Sequence, residues 1–272
     1  MRVTEHMVKI IYEDSEILVA EKPAGLESQA IRKFEPDMVS EIRNYLVRSQ
    51  KKREREQRRE LSTKPSTSLS TPAAAPYVGV IHRLDKPVSG VMVYAKTRSA
   101  AAFLSRELQA HRVTKIYHAV VCGKPVDNVG NFVDNLYMNR EENYSVIVDK
   151  SKKEGKRAEL SYRVLSRAEE KNLTLLEIQL KTGRHHQIRV QLAGHGLPIW
   201  GDARYNPQFG GTLPVEEREE KGSESFRTPA SRGPLALAAV SLSFTHPSSG
   251  KKMTFSIKPA SGAFRNFVKE RG

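Results

Sequence analysis

The amino-acid sequence predicts an α+β fold built on a mixed, largely antiparallel central sheet with flanking helices. Strand-like segments outnumber helical ones, and many are joined by turns of hairpin length. Strands and helices also do not alternate regularly along the 272 residues. Parallel neighbours need long crossover connections, usually helices, so a doubly wound parallel sheet would show that alternation. The pattern therefore favours hairpins that form one sheet, with helices packed against it.

The first predicted elements are a hairpin and a helix. The segment VKIIYEDSEILVAEKPAGL, residues 8 to 26, is apolar on both sides of Asp14 and ends in a Lys-Pro-Ala-Gly turn at residues 22 to 25. That pattern predicts two antiparallel strands. Between residues 37 and 61 the pattern becomes helical, with a short apolar stripe formed by Ile42, Tyr45 and Leu46.

Two stretches interrupt this order. Residues 51 to 60 include six basic and three acidic residues without an apolar stripe, and STKPSTSLSTPAAAP after them is of low complexity. Residues 51 to 60 are expected to form a solvated helix or a disordered arm. We therefore predict an inserted, mobile, basic loop at residues 48 to 76, which either helps to capture phosphates or is a tolerated surface insertion. A second, polar loop is predicted at residues 207 to 233. Residues 1 to 272 are predicted to form a single domain that carries both.

The remaining segments supply most of the predicted sheet. A helix capped by Ser99 is expected to carry Phe103 and Leu104 on its apolar face. A short helix is expected to begin near residue 184 and to run through Ala193. Strands are predicted at residues 115–123, 144–148, 158–165, 173–180, 237–244 and 253–257.

The composition points to a polyanionic partner. Lys and Arg total 45 against 31 Asp and Glu, a net charge of +14, and nucleic acid is the simplest partner for such a surface. The single Cys122 excludes an intramolecular disulfide and fits a reducing compartment. The sequence has no run of about 18 apolar residues and no hydrophobic core in MRVTEHMVKI. We expect a soluble, cytoplasmic protein that does not contact a membrane.

The stretch GVIHRLDKPVSGVMVYAKT, residues 79 to 97, places ionisable groups between two apolar strands. His82, Arg83 and Asp85 lie in the connecting turn. A carboxylate in a tight turn between rigid strands can project into a cleft and act as a nucleophile or stabilise a cation. An Asp before a proline-containing turn also commonly caps that turn by accepting backbone N–H bonds. On these residues alone, both roles stay open for Asp85.

A basic cluster opens the short helix predicted within LKTGRHHQIRVQLAGHGLPIWGDARYN, residues 180 to 206. It consists of Arg184, His185, His186 and Arg189. Cations at a helix start oppose the helix dipole, so stability alone does not favour them there. The cluster is better explained by function.

Together with IHRLDKPVSGVMVYAKT and KIYHAVVCG, this stretch closely resembles the RluA-type pseudouridine synthase family, in its form without an S4 domain. The likeness extends to IYEDSEILVAEKPAGL near the start and LALAAVSLSFTHPSSGKKMTF near the end, and it covers most of the chain outside the two insertions. The resemblance implies isomerisation of uridine to pseudouridine in structured RNA, either tRNA or rRNA. It further implies a cleft across the middle of the sheet, and neither cofactor nor metal.

The resemblance also implies roles for three side chains. Asp85 would act on the ribose or the base, and the residues do not decide between attack at C1′, addition at C6 and elimination at C2′. Arg184 would keep Asp85 ionised and aimed, although it could instead contact phosphate. Tyr117, in the K-x-Y strand motif, would face the uracil and transfer a proton, unless it merely packs in the core.

Five further residues are candidates for RNA binding. A uridine in folded RNA must be flipped out, and Arg83 could fill the vacated stack, although an exposed salt-bridged arginine would look the same in the sequence. His186, Gln187 and Arg189 are expected to contact the RNA backbone or to position Arg184. His82, beside Arg83, completes the set.

The motifs depart from the family pattern at two positions. Val88 stands where the family usually has a Thr beside the catalytic turn, so a hydroxyl that could affect local hydrogen bonding is missing. Gln191 stands where a His is common.

Metal and nucleotide cofactors are not expected. Neighbouring His185 and His186 cannot easily share one ion, and the sequence has no His-Glu-x-x-His pattern, no Gly-x-Gly-x-x-Gly turn and no Walker loop. The rival to an enzyme is a non-catalytic RNA-binding or RNA-chaperone protein that keeps the fold, which Val88 and the basic insertion favour. The joint presence of Asp85, Tyr117 and Arg184 argues against it. We expect a monomer.

Overall fold

The computed structural model describes residues 8–30, 35–60, 75–212, 214, 233–259 and 262–267. Within these ranges the chain forms eleven strands and three α-helices. The strands are β1 Lys9–Glu13, β2 Ile17–Lys22, β3 Gly79–Val80, β4 Ser89–Ala95, β5 Thr114–Cys122, β6 Val129–Asn139, β7 Tyr144–Val148, β8 Lys156–Ala168, β9 Leu173–Leu180, β10 Leu237–Thr245 and β11 Lys252–Ser256. The helices are α1 Met38–Glu60, α2 Arg98–Gln109 and α3 Gln187–Gly194.

All eleven strands belong to one sheet. Their order is β1-β2-β4-β10-β5-β9-β8-β6-β7, with β11 paired to β10 and β3 paired to β4. Within the described part of the chain, β4 and β10 are the only parallel neighbours, and the other pairs are antiparallel. The predicted α+β fold with a mixed, largely antiparallel sheet is confirmed.

The sequence analysis missed the long strand β6. Its sequence, VGNFVDNLYMN, contains Gly, Asn and Asp residues that are disfavoured in strands. In the structure β6 pairs with β7 on one side and with β8 on the other. Backbone hydrogen bonds to two neighbours therefore outweigh the low intrinsic strand propensity of this segment.

The N-cap of α2 was also predicted two residues too late. The hydroxyl of Thr97, not of Ser99, accepts the backbone N–H of Ala100 at 3.1 Å. Thr97 has the extended backbone that an N-cap requires, whereas Ser99 already lies inside the helix.

Helix α1 extends into the insertion predicted at residues 48 to 76, where a solvated helix was one of the two alternatives for residues 51 to 60. The helix continues to Glu60, so the first part of that insertion is helical, while residues 61 to 74 lie outside the described ranges. The start of α1 is buried against the sheet through Met38, Val39, Ile42 and Leu46. Beyond this packed part the helix continues as a charged arm, residues 50 to 57, which are all exposed.

The centre of the sheet is buried on both faces. In β2, Leu18 belongs to the largest apolar cluster, whereas its neighbours Ile17 and Val19 belong to a second cluster that includes Leu104 of α2. Alternate residues of a strand point to opposite faces, so α2 covers one face and the other face contributes to the main core. Among the described helices, none combines the length and apolarity needed to span a membrane.

Candidate active site

Asp85 begins a tight turn just before β4. The backbone N–H of Val88 donates to the Asp85 carbonyl at 2.9 Å, which closes a β-turn and leaves the Asp85 side chain about one-third exposed. Val88 is 3% exposed and packs in the main core. The turn therefore forms through the backbone of Val88, and its side chain, which replaces the usual hydroxyl of the family, supplies apolar packing.

A buried serine fixes the residue before Asp85. The hydroxyl of Ser28 donates to the Leu84 carbonyl at 2.7 Å and accepts the Leu84 backbone N–H at 3.0 Å. Ser28 is 2% exposed, so it satisfies both backbone groups where water does not reach them. The sequence analysis missed this anchor, because Ser28 lies 56 residues before Leu84 and belongs to no motif.

Lys22 also stabilises the turn of Asp85, through hydrogen bonds to backbone carbonyls. Its ammonium donates to the carbonyls of Pro23 at 3.0 Å, Leu26 at 2.6 Å and Lys86 at 3.1 Å, and the residue is 0% exposed. Burial lowers the pKa of Lys22 to about 8, against the smaller opposing influence of Glu27 and Asp85. The sequence identified this lysine only as part of a turn, whereas the structure ties it to the turn of Asp85.

The lowered pKa of Lys22 predicts a dependence of stability on pH. Between pH 8 and pH 10.5 the unfolded chain retains a proton that the folded chain has lost, so raising the pH favours the folded state. The unfolding free energy of the wild type, relative to Lys22→Met, should therefore rise by about 3 kcal/mol across this range. Urea titrations at pH 7, 8, 9 and 10 measure it. The exposed Lys86→Met is the control, and a wild-type advantage that does not change with pH would contradict the prediction.

A close contact between β4 and β10 brings the Asp85 turn near Tyr117. Gly90 and Ala239 are paired in the parallel bridge, and a Cβ on Gly90 would lie 2.5 Å from the Cβ of Ala239. Ala239 in turn pairs with Tyr117 of β5. Because only Gly permits this approach, a single strand separates the start of β4 from Tyr117, about 10 Å at the usual strand spacing.

Tyr117 lies in the core beneath the turn. The residue is 6% exposed, and burial raises the pKa of its phenol, with a further contribution from the negative charge of Asp85. The phenol therefore keeps its proton at neutral pH. The structure thus brings together Asp85 and Tyr117, two of the three residues for which a catalytic role was predicted.

The arginine beside Asp85 is Arg189, which corrects the expected pairing with Arg184. The Arg189 guanidinium Nη1 lies 3.6 Å from Asp85 Oδ2, and the same group forms two hydrogen bonds to Asp202, at 2.8 and 2.7 Å. Arg184 is exposed, and its Nε donates to the Arg157 carbonyl at 2.9 Å. Arg184 precedes α3, whereas Arg189 lies within it on the face that packs toward the turn.

His186 is the second group that faces Asp85. Its Nε2 lies 3.7 Å from Asp85 Oδ2, and its ring stacks on His185 with 3.7 Å between centroids. Burial, with the nearby charges of Arg189 and other groups, lowers the pKa of His186 to about 2, so the ring is neutral. The backbone of His186 has a φ of 50°, which is unusual for a residue with a side chain and turns the ring inward at the start of α3.

The structure also places the other residues predicted to bind RNA. Arg83 is exposed beside Asp85, as that role requires. His186, Gln187 and Arg189 are at most 9% exposed, so they face the protein interior and not the surface. Burial lowers the pKa of His82 to about 4, which leaves a neutral ring that accepts the Val93 backbone N–H at 3.3 Å.

Gln187 fits the second role considered for it, which was to position Arg184. Its Oε1 accepts the Arg184 backbone N–H at 3.0 Å and the Thr182 hydroxyl at 2.7 Å. Its Nε2 donates to Gln191 Oε1 at 3.0 Å. Gln191, at the position where the family commonly has His, in turn donates to Asp134 at 2.7 Å. These bonds fix α3 and the loop before it to β6.

The chain is similar to known proteins in sequence and in fold. The sequence profile of a family described as RNA pseudouridylate synthase matches residues 16–194. An uncharacterized RNA pseudouridine synthase of Aquifex aeolicus is 31% identical over 251 residues, which cover 92% of this chain and 69% of the relative. Ribosomal large subunit pseudouridine synthase D is 29% identical in Zymomonas mobilis and 34% identical in Xanthomonas campestris, and the chain spans 68% and 63% of those relatives.

Two solved human structures share the fold. RNA Pseudouridylate Synthase Domain Containing 1 superposes with a TM-score of 0.64 at 18% identity, covering 93% of this chain and 84% of its own. RNA Pseudouridylate Synthase Domain Containing 4 gives 0.65 at 23% identity, covering 92% and 88%.

Proposed function

Since the chain belongs to the RNA pseudouridylate synthase family and is an RNA isomerase, we propose that it converts uridines of structured RNA to pseudouridine at the turn that carries Asp85. The observation that carries this proposal is the partly exposed carboxylate of Asp85, which is flanked by the buried Arg189 and His186 and lies above the buried Tyr117. A partly exposed carboxylate held by such supports can act on a substrate.

The reaction breaks the bond from ribose C1′ to uracil N1, turns the uracil and joins C5 to C1′. C5 loses its proton to water and N1 takes up a proton, so the product is an isomer of the substrate. The Asp85 carboxylate either attacks the ribose or the base, or assists elimination at C2′, and each route needs its negative charge. Arg189 holds this carboxylate by charge, in the role first expected of Arg184. Tyr117, whose raised pKa keeps it protonated, presents its ring and hydroxyl to the detached uracil.

The RNA substrate must present the uridine outside its helix. The exposed Arg83, two residues before Asp85, is placed to enter the gap left by the flipped base. Because relatives in Zymomonas mobilis and Xanthomonas campestris are named ribosomal large subunit pseudouridine synthases, we propose large-subunit rRNA as the first substrate class to test, with tRNA second.

Release of the C5 hydrogen gives a direct test. Unmodified large-subunit rRNA and tRNA transcripts that carry tritium at uridine C5 are incubated with the full chain, and tritium released to water is counted. We expect release from one of these RNAs in proportion to pseudouridine formed. Binding of both RNAs without release from either would overturn the proposal in favour of a non-catalytic RNA-binding protein.

The charged arm of α1 is proposed to contact RNA phosphates. Lys51, Lys52 and Arg55 lie within one turn of each other on the exposed part of the helix, although Lys52 and Glu56 are 3.9 Å apart and partly offset each other. Replacing the three cations with Gln preserves the helix. The slope of log affinity against log salt should become shallower by about 1 for each phosphate that the arm no longer binds.

Filter-binding titrations over a range of salt concentrations measure this slope. The matched control removes acidic charge from the same arm through Glu54→Gln and Glu56→Gln, which should leave the slope unchanged or make it steeper. If the triple variant keeps the wild-type slope, the arm is a tolerated insertion.

A further inference from the structure

The hydroxyl of Tyr205, behind the active site, has two polar neighbours. Tyr205 is 0% exposed, its hydroxyl receives the backbone N–H of Ser145 at 3.0 Å, and it lies 2.8 Å from Nδ1 of His186. Tyr205 comes from GDARY, in the stretch that the sequence analysis singled out, but it was given no role there.

Counting protons identifies the donor in the contact with His186. The Ser145 backbone N–H can only donate, so it cannot take the phenol proton. A buried phenol without an acceptor would carry a substantial cost, and His186 Nδ1 is the acceptor within reach among the described residues. Burial raises the pKa of Tyr205, which keeps its proton in place, and His186 is neutral. Tyr205 therefore donates to Nδ1, and the single ring proton of His186 lies on Nε2.

This tautomer determines what Asp85 faces. His186 Nε2 lies 3.7 Å from Asp85 Oδ2, too long for a hydrogen bond but close enough for an N–H dipole to attract the carboxylate. The other tautomer would direct a lone pair at the same oxygen and repel it. Arg189 approaches Oδ2 as well, so both supports converge on one oxygen of the carboxylate.

We propose that Tyr205 is a positioning residue for catalysis, which fixes the tautomer of His186 so that a neutral N–H orients the carboxylate of Asp85. The proposal rests on the proposed function for its catalytic consequence, but the tautomer itself does not. The arrangement holds the carboxylate with one full positive charge, from Arg189, and one neutral donor. His186 thus helps to aim Asp85 without adding a charge of its own.

The neighbouring contacts hold the ring of His186 in this orientation. His185 stacks on it and bonds through Nδ1 to the Ser145 hydroxyl at 2.8 Å. The guanidinium carbon of Arg189 lies 5.1 Å from the centre of the Tyr205 ring. Ser145 thus contacts both His185 and Tyr205, which ties the start of β7 to the two rings.

The tautomer can be read without RNA. Histidine-selective ¹⁵N labelling and long-range ¹H–¹⁵N correlation spectra distinguish a protonated Nε2 from a protonated Nδ1, and His186→Gln assigns the signal. We expect the wild type to show protonated Nε2, and Tyr205→Phe to shift His186 toward protonated Nδ1. The control Tyr144→Phe removes a hydroxyl from the ring stacked on Tyr205 and should leave the tautomer unchanged. Two results would overturn the proposal. One is a wild type in which Nδ1 of His186 is protonated, and the other is a Tyr205→Phe variant whose His186 signal is the same as in the wild type.

Single-turnover kinetics test the catalytic consequence. Tyr205→Phe should lower the conversion rate about 10-fold or more while RNA affinity stays within about two-fold, since the phenol acts through Asp85 and not through the RNA. Gln at position 186 has an amide N–H near the place of Nε2 and has no tautomers. The Tyr205→Phe change should therefore have little effect in the His186→Gln background. An equal loss in both backgrounds, with a lowered melting temperature, would make Tyr205 a packing residue only.

Discussion

Replacing Asp85 with Asn is expected to abolish pseudouridine formation and to leave RNA binding intact. The amide keeps the size of the side chain and the backbone turn to Val88, but it removes the charge that nucleophilic or electrostatic chemistry requires. We expect the conversion rate to fall by at least about 10³-fold, as is usual when the reacting group of an enzyme is removed. RNA affinity should hold or rise slightly, because the variant removes one negative charge from the surface proposed to bind RNA.

The matched control for this variant is Asp149→Asn. Asp149 is a turn-capping aspartate whose Oδ1 accepts the backbone N–H of Ser151 at 2.8 Å, so the substitution changes a cap and leaves the turn of Asp85 unchanged. It should retain most of the conversion rate. Tritium release, RNA titration and thermal melting of both variants are compared. If the Asn form of Asp85 modifies RNA, then Asp85 is itself a turn cap and the proposed mechanism is wrong.

The second large effect is expected for Arg189→Lys and not for Arg184→Lys. Lysine keeps the charge of Arg189 but loses the planar group that bonds Asp202 twice and also reaches Asp85. Conversion should fall by about 100-fold or more with little change in RNA affinity. Arg184 bonds a backbone carbonyl on the surface, so its replacement by Lys should change conversion by less than about three-fold.

The two lysine variants form a matched pair, since each exchanges one arginine within the same motif. Because Arg189 is buried and breaking its pair with Asp202 can cost several kcal/mol, melting temperatures are measured first and rates are taken well below them. Asp202→Asn is a second variant, which keeps Arg189 but weakens the two hydrogen bonds that position its guanidinium. It should also reduce conversion. A large loss from Arg184→Lys with a small loss from Arg189→Lys would restore the pairing first predicted.

Local sequence patterns were sufficient to predict many strands of the sheet. Alternation and turn residues predicted the first hairpin, and apolar runs bounded by turns predicted β5, β7 and β9 to within a residue or two. Strand β6 was missed because its polar composition resembles a loop, and its strand character comes from pairing with β7 and β8 on either side.

Composition and short-range periodicity were enough to establish the sheet class, the net positive charge and the placement of Asp85 in a turn before the buried strand β4. The strand predicted before that turn is only the two-residue β3, which is half-buried. The groups that meet Asp85 could be identified only from the folded chain. His186 precedes the first residue of α3 and Arg189 lies within the helix, and both side chains approach Asp85, whereas Arg184 lies in the preceding loop. No spacing rule indicates which face a helix turns toward a distant turn. The roles of Lys22 and Ser28 could not be predicted from the sequence either. Both side chains form hydrogen bonds to backbone groups of the Asp85 turn, which lie far away in sequence and come close only in the folded chain.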